Sequence, residues 1–388
     1  MSRFSSRLLF PAAVIIVGIN LRPALAAVGP LLDAIQRDTG LGDTGASLLT
    51  TLPVVLMGVC LFGAAWLRRL FGERGGIALG AVLIVLACAM RWWFPDLSTL
   101  LLTAVLGGIG IAIVQALMPS VIRAQAGGSA ARLMGLYSTA IMGGALIAST
   151  LSPWIARSVS WPAALGIWAV PALVGLAAWW KVMDRPDTAT SGSAHRAIYR
   201  FPRAWVLLAF FGLGTGAYTL VLAWLPPFYT RFGWTAEAAG ALLGLVTLAE
   251  VVSGIAVSLW INRLPDRRPA LLVAIGALLV GLLCLCLAPL SLAWPAALFA
   301  GLGIGALFPL SLIVSMDHAG DAGEAGAIVG FVQGGGYVLA ALLPFIAGLL
   351  RQHLSDLTPA WWLMALLCVV MAGIAVRLRP ECRLLCDV

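Results

Sequence analysis

Two ionisable side chains lie where few are tolerated. Arg22 and Glu250 each sit 14 residues inside a long apolar run, counted from Leu8 and from Ala236. At 1.5 Å per residue that is about 21 Å of helix, close to the middle of a bilayer. A charge at that depth costs at least about 2.5–3.5 kcal/mol on insertion scales, so it must face a cavity or a partner. The chemistry on offer is recognition and proton exchange. A guanidinium presents a planar fork of donors to a carboxylate or another small planar anion. A carboxyl group in an apolar helix can take up and release a proton.

The helical neighbours fit these roles. Gly18, Arg22, Ala26 and Gly29 share a face of small residues, and Pro23 removes the N–H that would bond the Ile19 carbonyl. Gly240, Gly244, Thr247, Glu250 and Gly254 form a second small, polar stripe. Arg22 is therefore read as the centre of a substrate-binding site. Glu250 fits either a proton-coupling carboxylate or a structural, hydrogen-bonded acid. The matching depth suggests an exchange, in which Arg22 pairs with Glu250 until an anion displaces the carboxylate and the carboxylate takes a proton.

Six uncharged residues complete the candidate site. Asn20, Gln115, Tyr137, Tyr218, Gln333 and Tyr337 lie in apolar runs expected to border a cavity, and Tyr218 stands 196 residues after Arg22. Side chains of this kind also bond neighbouring helices, so the two roles remain open. Gln333-Gly334-Gly335-Gly336-Tyr337 allows close approach or bending of its helix, and without a preceding strand it is no phosphate loop. Catalysis has no inventory: His195, His318 and His353 lie at or beyond the ends of apolar runs, and HExxH and GxSxG are missing. Cys382 and Cys386 are one helical turn apart but have no His or further Cys nearby. No enzyme activity, cofactor or metal is expected.

The elements that must hold these residues follow from composition. Of 388 residues, 61% are apolar and 10% charged, against about 45–50% and about 25% in soluble domains. Such a chain cannot cover itself with polar surface, which excludes a soluble enzyme, a nucleic-acid binder and a disordered chain. Apolar runs fall near 8–32, 44–67, 75–94, 98–123, 130–157, 161–183, 203–229, 236–262, 268–288, 292–316, 322–350 and 358–379. Each is long enough for a membrane helix, and none alternates as a barrel strand would. With twelve spans, eighteen of the 24 basic residues face one side, five the other, and Arg22 is inside a span. That bias puts both termini and the segment 184–202 in the cytoplasm. Arg3, Arg7 and Ala24-Leu25-Ala26 imitate a cleaved leader, but Asn20, Arg22 and Pro23 interrupt its apolar region. Trp92, Trp93, Trp161, Trp361 and Trp362 are expected as interface anchors.

The chain also repeats itself. Gly18 and Pro30 match Gly214 and Pro226 at an offset of 196, Gly45-Ala46 matches Gly240-Ala241 at 195, and Gly108-Ile109-Gly110 matches Gly301-Leu302-Gly303 at 193. The expected fold is an all-α membrane protein of twelve transmembrane helices in two pseudo-symmetric six-helix halves. The halves are 1–183 and 203–388, joined by the polar linker 184–202. Repeats of this kind build alternating-access carriers.

Two loops carry a family resemblance. Arg68-Arg69-Leu70-Phe71-Gly72-Glu73-Arg74-Gly75 and Asn262-Arg263-Leu264-Pro265-Asp266-Arg267-Arg268 resemble the acidic–Arg signature of the major facilitator superfamily, with Glu73 where Asp is usual. The resemblance implies gating roles for Glu73, Arg74, Asp266 and Arg267. Gly18-Ile19-Asn20-Leu21-Arg22-Pro23, Val28-Gly29-Pro30-Leu31-Leu32 and Leu49-Thr50-Thr51-Leu52-Pro53-Val54-Val55 are similar to the cyanate and nitroimidazole porter family, the CynX/NimT group. So are Gln115–Ile122, Ala223-Trp224-Leu225-Pro226 and Asp317-His318. That likeness implies a bacterial inner-membrane carrier of a small anion or a compact heterocycle. Together with the arginine fork, the expected function is secondary transport, by a monomer, of a small anionic or polar solute: a cyanate-like anion, a small carboxylate or a nitroimidazole-like compound. Alternating access with proton coupling through Glu250 is the expected mechanism. A drug or metabolite exporter is the alternative, but its Gly/Pro-rich fifth-span motif is not evident in 135–153. A membrane sensor that binds without transporting is a further one.

Overall fold

A computed structural model of the protein describes residues 3–126, 130–182, 198–261, 264, 266–318 and 322–378. Most of the segment 184–202, three residues of the second signature loop (262, 263 and 265) and the Cys382/Cys386 pair lie outside the described residues. Among those described, every regular element is helical. They fall into two compact units: residues 1–42 with 48–192, and residues 193–388 with 43–47.

The first unit holds α1 (Arg3–Ile19), α2 (Pro23–Ala26), α3 (Val28–Thr39), most of α4 (Asp43–Phe62), α5 (Ala64–Phe71), α6 (Glu73–Trp93), α7 (Leu97–Ala126), α8 (Ala130–Ser158), α9 (Trp161–Gly166) and α10 (Ala169–Trp180). The second holds α11 (Pro202–Thr230), α12 (Ala236–Trp260), α13 (Arg268–Leu287), α14 (Ala293–Asp317), α15 (Ala322–Leu354) and α16 (Thr358–Arg377). Twelve stretches among them are long and apolar enough to cross a membrane. The first runs Leu9–Thr39, seven residues past the expected end near 32. α3 continues through Asp33, Arg37 and Asp38 and stops only at Gly40, whose φ of 68° gives a left-handed cap bonded to the Gln36 carbonyl. The second ends at Phe62 instead of 67, because Gly63 breaks the chain into a separate α5.

Corresponding glycines pack the two units alike. A Cβ on Gly108 would meet Pro53 of α4, and one on Gly301 would meet the Val246 carbonyl of α12. Two residues on, Gly110 lies against the Gly80 carbonyl of α6, and Gly303 against the Ala274 carbonyl of α13. The repeated Gly-x-Gly thus lets the fourth span of each unit touch two neighbours at backbone distance, where van der Waals contact supplies the association energy in lipid.

The first span is broken. Asn20 and Leu21 donate to the Val17 and Gly18 carbonyls at 3.1 Å each, a tightened last turn of α1. Arg22 follows at φ −105°, and Pro23 restarts the helix as its first residue, a position that needs no N–H. Such breaks survive at membrane depth only where the backbone is buried in protein or lines a water-filled cavity.

Candidate functional site

In the first unit the site is built around that break. Arg22 is 4% exposed. From one side α8 covers the backbone before it. Gly18 lies against Tyr137, with 3.0 Å from a built Cβ to the ring, and Gly144 sits directly on the Ile19 carbonyl that Pro23 leaves free. From the other side comes Arg91, one of the five basic residues that the span count assigns to the outer side. Arg91, in the last turn of α6, is 2% exposed. Its Nη1 donates to the Ala24 carbonyl of α2 at 2.8 Å and its Nε to Thr103 Oγ1 of α7 at 2.9 Å. The signal was an arginine in a membrane run. The adjoining Trp92 and Trp93, both exposed, made it read as an interface residue.

The other candidates of this unit separate. Gln115 on α7 is half-buried, and its Oε1 is enclosed without a hydrogen-bond partner. Tyr137 is buried on α8. Asn20 is turned to helix packing: its Nδ2 donates to the Ile16 carbonyl at 2.7 Å, and it lines a small, mainly apolar crevice with Ala81, Ala172 and Gly175. Glu73 and Arg74 are buried in the first turn of α6 and do not lie in an open loop. The Arg74 carbonyl accepts from Trp179 Nε1 at 3.1 Å.

In the second unit Tyr218 on α11, Glu250 on α12 and Tyr337 on α15 are buried, and Gln333 on α15 is half-buried. Glu250 is 5% exposed, and its backbone is pressed by Gly305 of α14, where a Cβ would stand 2.3 Å from the Glu250 Cα. Tyr337 packs edge-on against Phe211 of α11 at 5.6 Å. α11 and α15 are further joined by Thr219 Oγ1 donating to the Ala340 carbonyl at 3.0 Å and Trp224 Nε1 donating to the Pro344 carbonyl at 2.9 Å.

The second signature copy is a set of ties. Asp266 pairs with Arg268 at 2.8 Å and accepts its backbone N–H at 2.9 Å, an Asx turn leading into α13. The Arg268 hydrogen bond holds the Asp266 carboxyl below its ordinary range. Arg267 pairs with Asp317 at the end of α14 at 3.2 Å and donates to the Ile261 and Leu264 carbonyls. Beside Asp317, His318 is 2% exposed, with Nδ1 2.7 Å from the Val314 carbonyl and Nε2 enclosed without a partner. Burial pushes its pKa below the ordinary 6.5, and the nearby Arg203 adds to this. Trp161 and Trp361 correct the anchor reading. Trp161 is buried and donates to Asp38 Oδ2 at 2.6 Å, and Trp361 is 0% exposed, whereas Trp92, Trp93 and Trp362 are open.

A twelve-span, all-α chain with ionisable groups buried inside its helices is the architecture of a membrane transporter. Residues 14–341 match the Major Facilitator Superfamily, and the chain belongs to that family. It is a multi-pass membrane transporter and not an enzyme. It is 37% identical to the cyanate transport protein CynX of Escherichia coli (strain K12) over 95% of this chain and 96% of that protein. To the 2-nitroimidazole transporter of the same strain it is 30% identical, over 95% and 94%. Among solved structures, the D-xylose–proton symporter shares the fold with a TM-score of 0.77 at 16% identity, over 96% of this chain and 98% of that one.

Proposed function

We propose that this chain carries a small anion of the cyanate class, or a compact polar heterocycle, across the bacterial inner membrane by alternating access. The observation that carries the reading is Arg22, a guanidinium 4% exposed in the break of the first membrane span. Its planar donor fork suits a linear or planar group with delocalised negative charge. Two relatives are named for cyanate, a linear anion, and for 2-nitroimidazole, a planar heterocycle whose nitro oxygens accept hydrogen bonds. Arg91 favours the anion. Among the described residues no carboxylate pairs with it, so it adds positive potential to the interior of the same unit.

Gln115, Tyr137, Tyr218, Gln333 and Tyr337 supply neutral polar contacts in this reading. Glu250 is the proton-coupling carboxylate, and the ties of Asp266 and Arg267 are broken and remade as the carrier cycles. Both termini lie in the cytoplasm, and the working unit is a monomer. The test is a thermal-shift screen of the purified protein with cyanate, small carboxylates and 2-nitroimidazole. A ligand at about 100 times its Kd stabilises by about 2.7 kcal/mol. Cyanate should raise the melting temperature of the wild type and leave Arg22→Ala unmoved. Equal shifts in both proteins would remove Arg22 from the site.

A further inference from the structure

The function proposed above gives Arg91 no task beyond its charge, yet it is among the most deeply buried charged residues of the first unit. We propose that Arg91 is a positioning residue that fixes the α1–α2 break and so sets where the Arg22 guanidinium points; the proposal rests on Arg22 being the binding arginine. The geometry forms a relay. Thr103 Oγ1 donates to the Leu100 carbonyl at 2.9 Å, which anchors it on α7. Arg91 Nε donates to that same oxygen, and Arg91 Nη1 reaches the Ala24 carbonyl, two residues past Arg22.

α2 has four residues, too few to hold its own course by helical bonding. Gly144 seats the chain before Arg22 at Ile19, and Arg91 seats the chain after it at Ala24. Arg22 is the residue between the two clamps. Only arginine suits the second clamp. Its rigid fork offers Nε and Nη1 in fixed directions to two acceptors on different helices, whereas lysine offers one flexible point of charge. Burying a guanidinium without a carboxylate partner is costly, so the position calls for a task that packing alone does not supply.

The test compares Arg91→Lys and Thr103→Val with the wild type by hydrogen–deuterium exchange of the purified protein. Thr103→Val keeps the side-chain shape and the Arg91 charge, and serves if Arg91→Lys fails to fold. Losing one charge-assisted bond should speed exchange at amides 20–27 about tenfold, with α12 unchanged. Unchanged exchange at 20–27 in a folded variant overturns the positioning role, whatever solute is carried. A second arm measures cyanate uptake. If Arg91 acts through Arg22, Thr103→Val combined with Arg22→Lys is no worse than Arg22→Lys alone. Losses that multiply overturn it. The reading of Arg22 fails separately, if Arg22→Ala takes up cyanate normally while exchange at 20–27 still responds to Thr103→Val.

Discussion

Gly144 of α8 lies so close to the Ile19 carbonyl that a Cβ on it would stand 1.9 Å from the oxygen. That oxygen is the one Pro23 leaves without its helical donor. The two helices therefore meet at backbone distance where the first span breaks, and any side chain larger than hydrogen must push them apart. Its neighbour Gly143 has nothing within 4 Å of a built Cβ.

The pair gives an internally controlled prediction. Gly144→Ala should destabilise by about 1–3 kcal/mol, the usual cost of overpacking a close contact, and should lower uptake because the break is displaced. Gly143→Ala should melt within a degree or two of the wild type, as substitutions away from packed features do. Melting curves of the two variants in one detergent decide it. Equal stability would mean that α8 does not seat the break.

Glu250 carries the coupling prediction. Glu250→Gln keeps the shape of the protonated acid and removes its titration. It should keep solute binding and counterflow, while accumulation driven by an imposed pH gradient falls to a ratio of about one, simple equilibration. If Glu250→Gln still concentrates solute against such a gradient, the coupling group is elsewhere.

His318 makes stability depend on pH. Its Nδ1 faces a carbonyl, which only accepts, so the neutral ring carries its proton there. The folded pKa is depressed by burial and, less strongly, by Arg203, with the Val314 hydrogen bond and then Asp317 opposing. The unfolded chain then binds a proton near pH 6.5 that the folded chain refuses. Stability is therefore full above pH 6.5 and is lost as pH falls below it. Melting temperatures from pH 8 to pH 5 should show this slope, and His318→Asn, which can still donate to Val314, should flatten it. An unchanged slope in that variant would assign the acid sensitivity to other groups.

The fold was legible because a bilayer permits few solutions. Apolar length set the spans, and the Gly-x-Gly repeat announced a packing that recurs at Gly110 on Gly80 and Gly303 on Ala274. The site was legible only in outline. Arg22 stood out as a charge inside an apolar run, and Pro23 marked the break. Arg91 was hidden because a helix end beside two tryptophans looks the same whether the arginine faces lipid headgroups or turns inward to Ala24. Asn20 could be placed beside a cavity from the sequence, but not beside a particular one: it lines the crevice against α6 and α10 and donates to its own helix at Ile16. Trp161 shows the same limit, since nothing local revealed Asp38, 123 positions away, as its partner.

The most direct test is uptake of labelled cyanate into proteoliposomes by the wild type, Arg22→Lys and Arg22→Ala, at matched protein incorporation. A guanidinium binding an anion through charge-assisted bonds contributes about 1.5–3 kcal/mol, so Arg22→Ala should lose about ten- to a hundredfold in uptake efficiency. Arg22→Lys, which keeps the charge without the fork, should still lose most of the activity. Uptake by Arg22→Ala at the wild-type rate would contradict an arginine-centred site for a small anion.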